Sequence, residues 1–122
     1  MKKMLITLVT AALLALGSAN ASEQTAPKSI IHVVTVSWKA GTTPEQIKAA
    51  LDGVQGLPAA YKGITRVWTK TVKAQGGKAN AIVMEFADEA AFKGYTDSDA
   101  QKEWYKVYQP IREQSTTFDI TN

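Results

Sequence analysis

Residues 30–38, Ile-Ile-His-Val-Val-Thr-Val-Ser-Trp, decide how the 122-residue chain is read. Apolar and β-branched residues fill this run with little polar relief, which is the pattern of a strand covered on both faces. Alternation places His32, Val34, Val36 and Trp38 on one side. Ile31, Val33, Thr35 and Ser37 take the other. Lys39-Ala40-Gly41-Thr42 then turns the chain.

A helix is predicted to follow the turn. Thr43 suits an N-cap, Pro44 fits the first helical position, and Gln46 completes a capping box with Thr43. Ile47, Ala50, Leu51, Val54 and Leu57 share one helical face, and Gly56 and Pro58 end it. Residues 64–73 and 79–87 read as a hairpin around Gly76-Gly77, with Ile82, Met84 and Phe86 on one side of the second strand. Asp88 is placed to cap a short helix carrying Ala91, Phe92 and Tyr95. After a break at Thr96-Asp97, Ser98 and Gln101 form a second capping box. Gln101, Trp104, Tyr108 and Ile111 share a face of this second segment, and Pro110 ends it. A short closing strand is expected over 116–121, with Phe118 and Ile120 on one side. The resulting order, β-α-β-β-α-β, is the ferredoxin-like α+β arrangement.

Upstream of the strand the chain has a different character. Lys2 and Lys3 precede an apolar run of 13 residues, Met4 to Leu16, and Ser18-Ala19-Asn20-Ala21 supplies small residues for cleavage after Ala21. This three-part layout is that of a secretory signal peptide over 1–21, too short for a spanning helix. Residues 22–29 read as a flexible tail and 30–122 as the single domain. The expected location is periplasmic or secreted, with no membrane attachment after cleavage. Removing the leader leaves 12 basic against 11 acidic residues, so the charge that favours nucleic acid disappears with it. The chain has no cysteine, which excludes disulfides and cysteine metal sites. A single histidine excludes a His-rich zinc site, and no phosphate-binding glycine pattern occurs. No metal or cofactor is implied.

His32 is the residue with chemistry to weigh. It fits a neutral imidazole hydrogen-bonded in the core, or a general base in a pocket between sheet and helices. Tyr95 fits core filling or a pocket hydroxyl. Trp104, Tyr105 and Tyr108 suit packing. Gln101 on an apolar helical face caps the helix, lines a polar pocket, or does both, because a buried amide without partners costs about 1–3 kcal/mol. Asp88, Glu89, Asp97 and Asp99 stand where helices begin, and dipole compensation accounts for them.

Taken together, these residues resemble the stress-responsive dimeric α/β-barrel (Dabb) family. Residues 30–41 match its opening strand: a His, an apolar run ending in an aromatic, then Lys and a turn before a Pro-Glu helix start. Leu57-Pro58 with Gly63 resembles its passage into the second strand. Val83-Met84-Glu85-Phe86 with Phe92 and Tyr95 resembles its third-strand segment, and Pro110-Ile111 and Phe118-Asp119 fit its close. The resemblance implies a homodimer whose two sheets face each other in a barrel. That would cover the Ile31 and Val33 face of the first strand. In cyclase-like members a strand-one His, a helix Tyr and a His-Pro-x-His motif line the pocket. His32 and Tyr95 match the first two, but the third region reads Ser98-Asp99-Ala100-Gln101. Glutamine takes no proton at neutral pH. The expectation is therefore a homodimer binding a small apolar or aromatic molecule through His32, Tyr95, Gln101, Trp104 and Trp38, with His32 and Tyr95 the candidate catalytic pair. A lyase or cyclase on a carbonyl compound is the alternative, and a non-catalytic structural stress protein the second alternative.

Overall fold

The computed structural model of the chain describes residues 28–122. The leader and most of the tail expected from the sequence lie outside the described residues. Strand β1 (Ile30–Trp38) is followed by α1 (Pro44–Gln55), α2 (Leu57–Ala60), β2 (Ile64–Trp68), β3 (Asn80–Phe86), α3 (Glu89–Tyr95), α4 (Asp99–Tyr108) and β4 (Arg112–Thr121). The strands form one antiparallel sheet in the order β2-β3-β1-β4, the ferredoxin-like topology. β1 is central, and its register sets His32 beside both Met84 and Asp119.

Helix starts follow the chemistry of their first residues. The Thr43 hydroxyl accepts from the Gln46 amide at 3.2 Å, and the Gln46 side chain accepts from the Thr43 amide at 2.9 Å. Asp88 accepts from the Ala91 amide at 2.8 Å, which starts α3. At Ser98 only half of the expected box forms: the hydroxyl accepts from the Gln101 amide, but the Gln101 side chain reaches one residue further back, to the Asp97 amide at 2.7 Å. The Ser98 amide donates instead to the Tyr95 carbonyl at 3.0 Å, and Asp97, with φ +64°, turns the chain between the two helices. α1 ends at Gly56 as expected; Leu57, read as part of its face, instead opens the short α2, where Pro58 sits within the first positions and a missing N–H costs nothing.

Two strands differ in length from expectation. β2 stops at Trp68, and beyond it the Thr71 hydroxyl takes over one strand position by accepting from the Ala81 amide at 2.8 Å. β4 begins at Arg112, four residues earlier than its composition suggests, because its backbone pairs with β1 along the whole length, apart from an irregularity at Ser37/Trp38.

The core lies between the sheet and the helices. Val34, Val36, Ile82, Met84, Phe86 and Ile64 meet Ala50, Val54, Leu57, Tyr95, Trp104 and Tyr108 there. Among the described residues no helix lies on the other face of the sheet. Val33 pairs with Phe118 and Ile31 with Ile120 on that face, and Trp68 is beside Val83. Phe118 and Ile120 are 60% and 58% exposed. Arg66 and Glu85 also lie there, joined by a guanidinium–carboxylate contact of 2.5 Å. That hydrogen bond and charge hold the Glu85 carboxyl below its ordinary value. A depressed carboxylate stabilises the fold above its unfolded value, and the contribution is lost as pH falls through the folded one. The stability difference between wild type and Glu85→Gln is therefore expected to be present at pH 7 and to shrink below pH about 4.5. Urea midpoints measured from pH 7 to pH 3 check it; a difference constant with pH contradicts it.

Candidate functional site

A cavity of about 140 Å³ lies between the helix-facing side of the sheet and the α3–α4 pair. β1 contributes His32 and Val34, β3 contributes Met84, and β4 contributes Arg112, Ser115 and Thr117. The helical wall consists of Phe92, Tyr95, Gln101, Trp104, Tyr105 and Tyr108, with Thr96 at the break. One half is therefore aromatic and the other rich in hydrogen-bonding groups. The alternation of β4 explains the second half: Phe118 and Ile120 turn to the open face, so Ser115, Thr117 and Asp119 must face the helices.

Packing fixes the helical wall. The Trp104 indole N–H donates to the Ala50 carbonyl at 2.9 Å, which ties α4 to α1. Gly53 makes this approach possible, since a Cβ there would sit 2.7 Å from Trp104 Cδ1. Trp104 stacks on Tyr108, with ring centres 4.3 Å apart. Phe86 forms a floor beneath Phe92 and Tyr95, each with its ring centre 5.3 Å away.

His32 does not float in this wall. Its Nδ1 donates to Asp119 Oδ1 at 2.5 Å. A carboxylate takes the Nδ1 proton as its partner, which leaves Nε2 as the nitrogen with a free lone pair in the neutral ring. Phe92 lies against the ring at 6.1 Å and Phe86 meets it edge-on at 6.2 Å. The sequence reading assigned no role to Asp119. The signal was there in the apolar pair Phe118 and Ile120, which leaves Asp119 on the histidine side of an adjacent antiparallel strand.

Tyr95 and Tyr108 are buried, and neither hydroxyl has a hydrogen-bond partner among the described residues. Burial raises both phenols above their ordinary range, so both keep their protons at neutral pH. Ser115 and Arg112 favour ionisation of Tyr108 slightly, but neither completes a bond to its hydroxyl. An unpaired buried hydroxyl costs about 1–3 kcal/mol. Two of them in one cavity wall call for a partner that arrives from outside the chain.

Of the sequence candidates, His32, Tyr95, Gln101 and Trp104 come together in this wall. Trp38 does not. Its indole donates to Asn80 at 2.8 Å, and its ring meets Tyr108 edge-on from outside the cavity. Strand alternation gives the face of a residue but not its distance from a cavity on that face. Gln101 lines the cavity with its amide already engaged: the oxygen accepts from Asp97, and the nitrogen donates to the Tyr105 hydroxyl at 3.2 Å. Arg112 belongs to the site and went unassigned in the sequence, because only the β4 register brings it there; Tyr108, read from the sequence as packing, lines the cavity from α4. Among the described residues no three His, Asp or Glu side chains gather as a metal centre requires.

Comparison with known proteins places this architecture. The Stress responsive A/B Barrel Domain (Dabb) matches residues 30–122. No curated protein sequence matches the chain. Among solved structures, a hydroxynitrile lyase from Passiflora edulis superposes with a TM-score of 0.70 at 18% identity, over 79% of this chain and 94% of the other. A dimeric ferredoxin-like protein of unknown function from Thermobifida fusca gives 0.66 at 19%, over 77% and 91%. A Dabb family protein with a ferredoxin-like fold from Mesorhizobium loti gives 0.65 at 22%, over 77% and 96%. At these identities the solved structures speak for the fold alone. The family match spans the domain from the first strand to the last residue, and the chain belongs to the stress responsive A/B barrel domain (Dabb) family.

Proposed function

We propose that this chain is an exported homodimer that binds one small, single-ring aromatic molecule per protomer in the cavity between the sheet and α3–α4. The observation that carries the binding reading is the pair of buried, unpartnered hydroxyls of Tyr95 and Tyr108 in an aromatic-walled cavity. Its volume, 140 Å³, suits one six-membered ring, since a cavity of about 150 Å³ in another protein admits benzene. The homodimer is supported by the uncovered apolar face of the sheet, and the Thermobifida fusca relative is described as dimeric. Export rests on the leader sequence.

One experiment tests these parts together. Native mass spectrometry of protein from the export compartment is expected to give a dimer beginning at Ser22, carrying one small adduct per protomer. The double variant Tyr95→Phe, Tyr108→Phe is expected to lose the adduct and keep the dimer. A bare wild-type dimer argues for the structural role instead, a monomer removes the barrel, and a chain beginning at Met1 removes export.

The His32–Asp119 contact favours a second reading, a lyase or cyclase acting beside a carbonyl group. His32 Nε2 would take the proton from the carbon next to the carbonyl, and the electron pair of that bond would move to the oxygen as an enolate. The Tyr95 hydroxyl would donate to that oxygen, and Asp119 would stabilise the imidazolium. Gln101 is not needed for this step. Exchange of the methyl protons of 4-hydroxyacetophenone in D₂O, followed by NMR, should run faster with wild type than with His32→Ala; equal rates remove the reading.

A further inference from the structure

We infer that the molecule held in this cavity is an anion, a single aromatic ring bearing a carboxylate that is bound against Arg112. The inference deepens the binding reading above and rests on it. Arg112 opens β4 and lines the cavity, with its guanidinium 5.5 Å from the centre of the Tyr108 ring. It forms no ion pair with any Asp or Glu among the described residues, and no Asp or Glu lines the cavity. Glu113, next to Arg112 in β4, neither lines the cavity nor forms an ion pair among the described residues, and Asp119 is engaged with His32. The cavity therefore has a fixed positive charge and nothing within it to balance that charge.

The remaining polar groups have the same preference. Tyr95 and Tyr108 offer two O–H donors without acceptors, and Ser115 and Thr117 add hydroxyls on the β4 side. A guanidinium offers five donors and no acceptor, and it binds a carboxylate through two parallel hydrogen bonds. A neutral hydrocarbon ring would leave all of these donors unsatisfied.

Register sets the two ends of the site. His32 lies opposite Asp119, Val36 opposite Ser115 and Trp38 opposite Arg112, so along β1 the His32 end is four strand residues from Ser115 and six from the Arg112 backbone, whose long side chain reaches back to line the cavity. At about 3.3 Å per residue the span from His32 to Ser115 is roughly 13 Å, room for one ring between His32 and the Ser115 end that the Arg112 side chain reaches. The carboxylate would meet Arg112 and the Tyr108 hydroxyl, and the far edge of the ring would meet Tyr95 and His32.

The test compares sodium benzoate with benzamide, its neutral counterpart of the same shape, by calorimetric titration of the mature dimer at pH 7. Wild type is expected to bind benzoate at least about tenfold more tightly than benzamide, the scale of one charge-assisted contact. Arg112→Met should remove that preference by weakening benzoate far more than benzamide, and Arg112→Lys should keep part of it. A wild-type thermal unfolding midpoint, together with residual benzamide binding, shows that the variant cavity is intact. Benzamide binding as tightly as benzoate, or benzoate unaffected by Arg112→Met, overturns the inference and leaves the cavity reading standing. Failure of both compounds to bind wild type removes the cavity reading, and this inference with it.

Discussion

Phe86→Ala is expected to destabilise the protein by about 3–5 kcal/mol, a large part of what a domain of this size possesses. Phe86 is fully buried in β3, and its ring supports the underside of the site. His32 meets it edge-on, while Phe92 and Tyr95 pack against it from α3. Truncation removes apolar area from the core and opens a void that neighbours already in contact with one another can fill only in part. Phe86→Leu keeps most of the volume and should cost less than about 1.5 kcal/mol. Urea unfolding at a fixed protomer concentration measures both; a loss below about 1 kcal/mol for the alanine variant would mean that the ring does not hold the sheet to α3.

The double substitution Val33→Asp, Phe118→Asp is expected to convert a dimer into a folded monomer. The two positions are register partners on the face of the sheet that no helix among the described residues covers, and Phe118 is already 60% exposed in the isolated protomer. The protomer core lies on the opposite side, so folding survives. A symmetric interface would bury four new carboxylates without partners, and the dissociation constant should rise at least about 1,000-fold, near 4 kcal/mol. Sedimentation at micromolar concentration distinguishes the species. A double variant that remains dimeric places the interface elsewhere.

Local chemistry made most of the fold legible. Thr43 with Gln46, and Asp88, act at short range, so the helix starts they specify appear where the sequence puts them. Residues 30–38 form the strand that their apolar, β-branched run specifies, and the pairing places it in the interior of the sheet. β4 was harder to read, because Arg112 to Ser115 has no strand character of its own and becomes a strand only by pairing with β1. The site was legible in part for the same reason. Tyr95 and Trp104 are marked by helical spacing, but the contact of His32 with Asp119 joins residues 87 positions apart. The arrival of Arg112 in the cavity wall depends on that same long-range pairing. Trp38 shows the limit of alternation: it is on the right face and level with Arg112, but its indole is turned to Asn80 and does not line the cavity.

A crystal structure of the mature protein soaked with phenol tests the binding site and the dimer most directly. The expected result is two protomers with their sheets face to face and one ring in each cavity, its oxygen within hydrogen-bond distance of the Tyr95 or Tyr108 hydroxyl. A cavity holding only water bonded to both hydroxyls, or a sheet face left open to solvent, would contradict it.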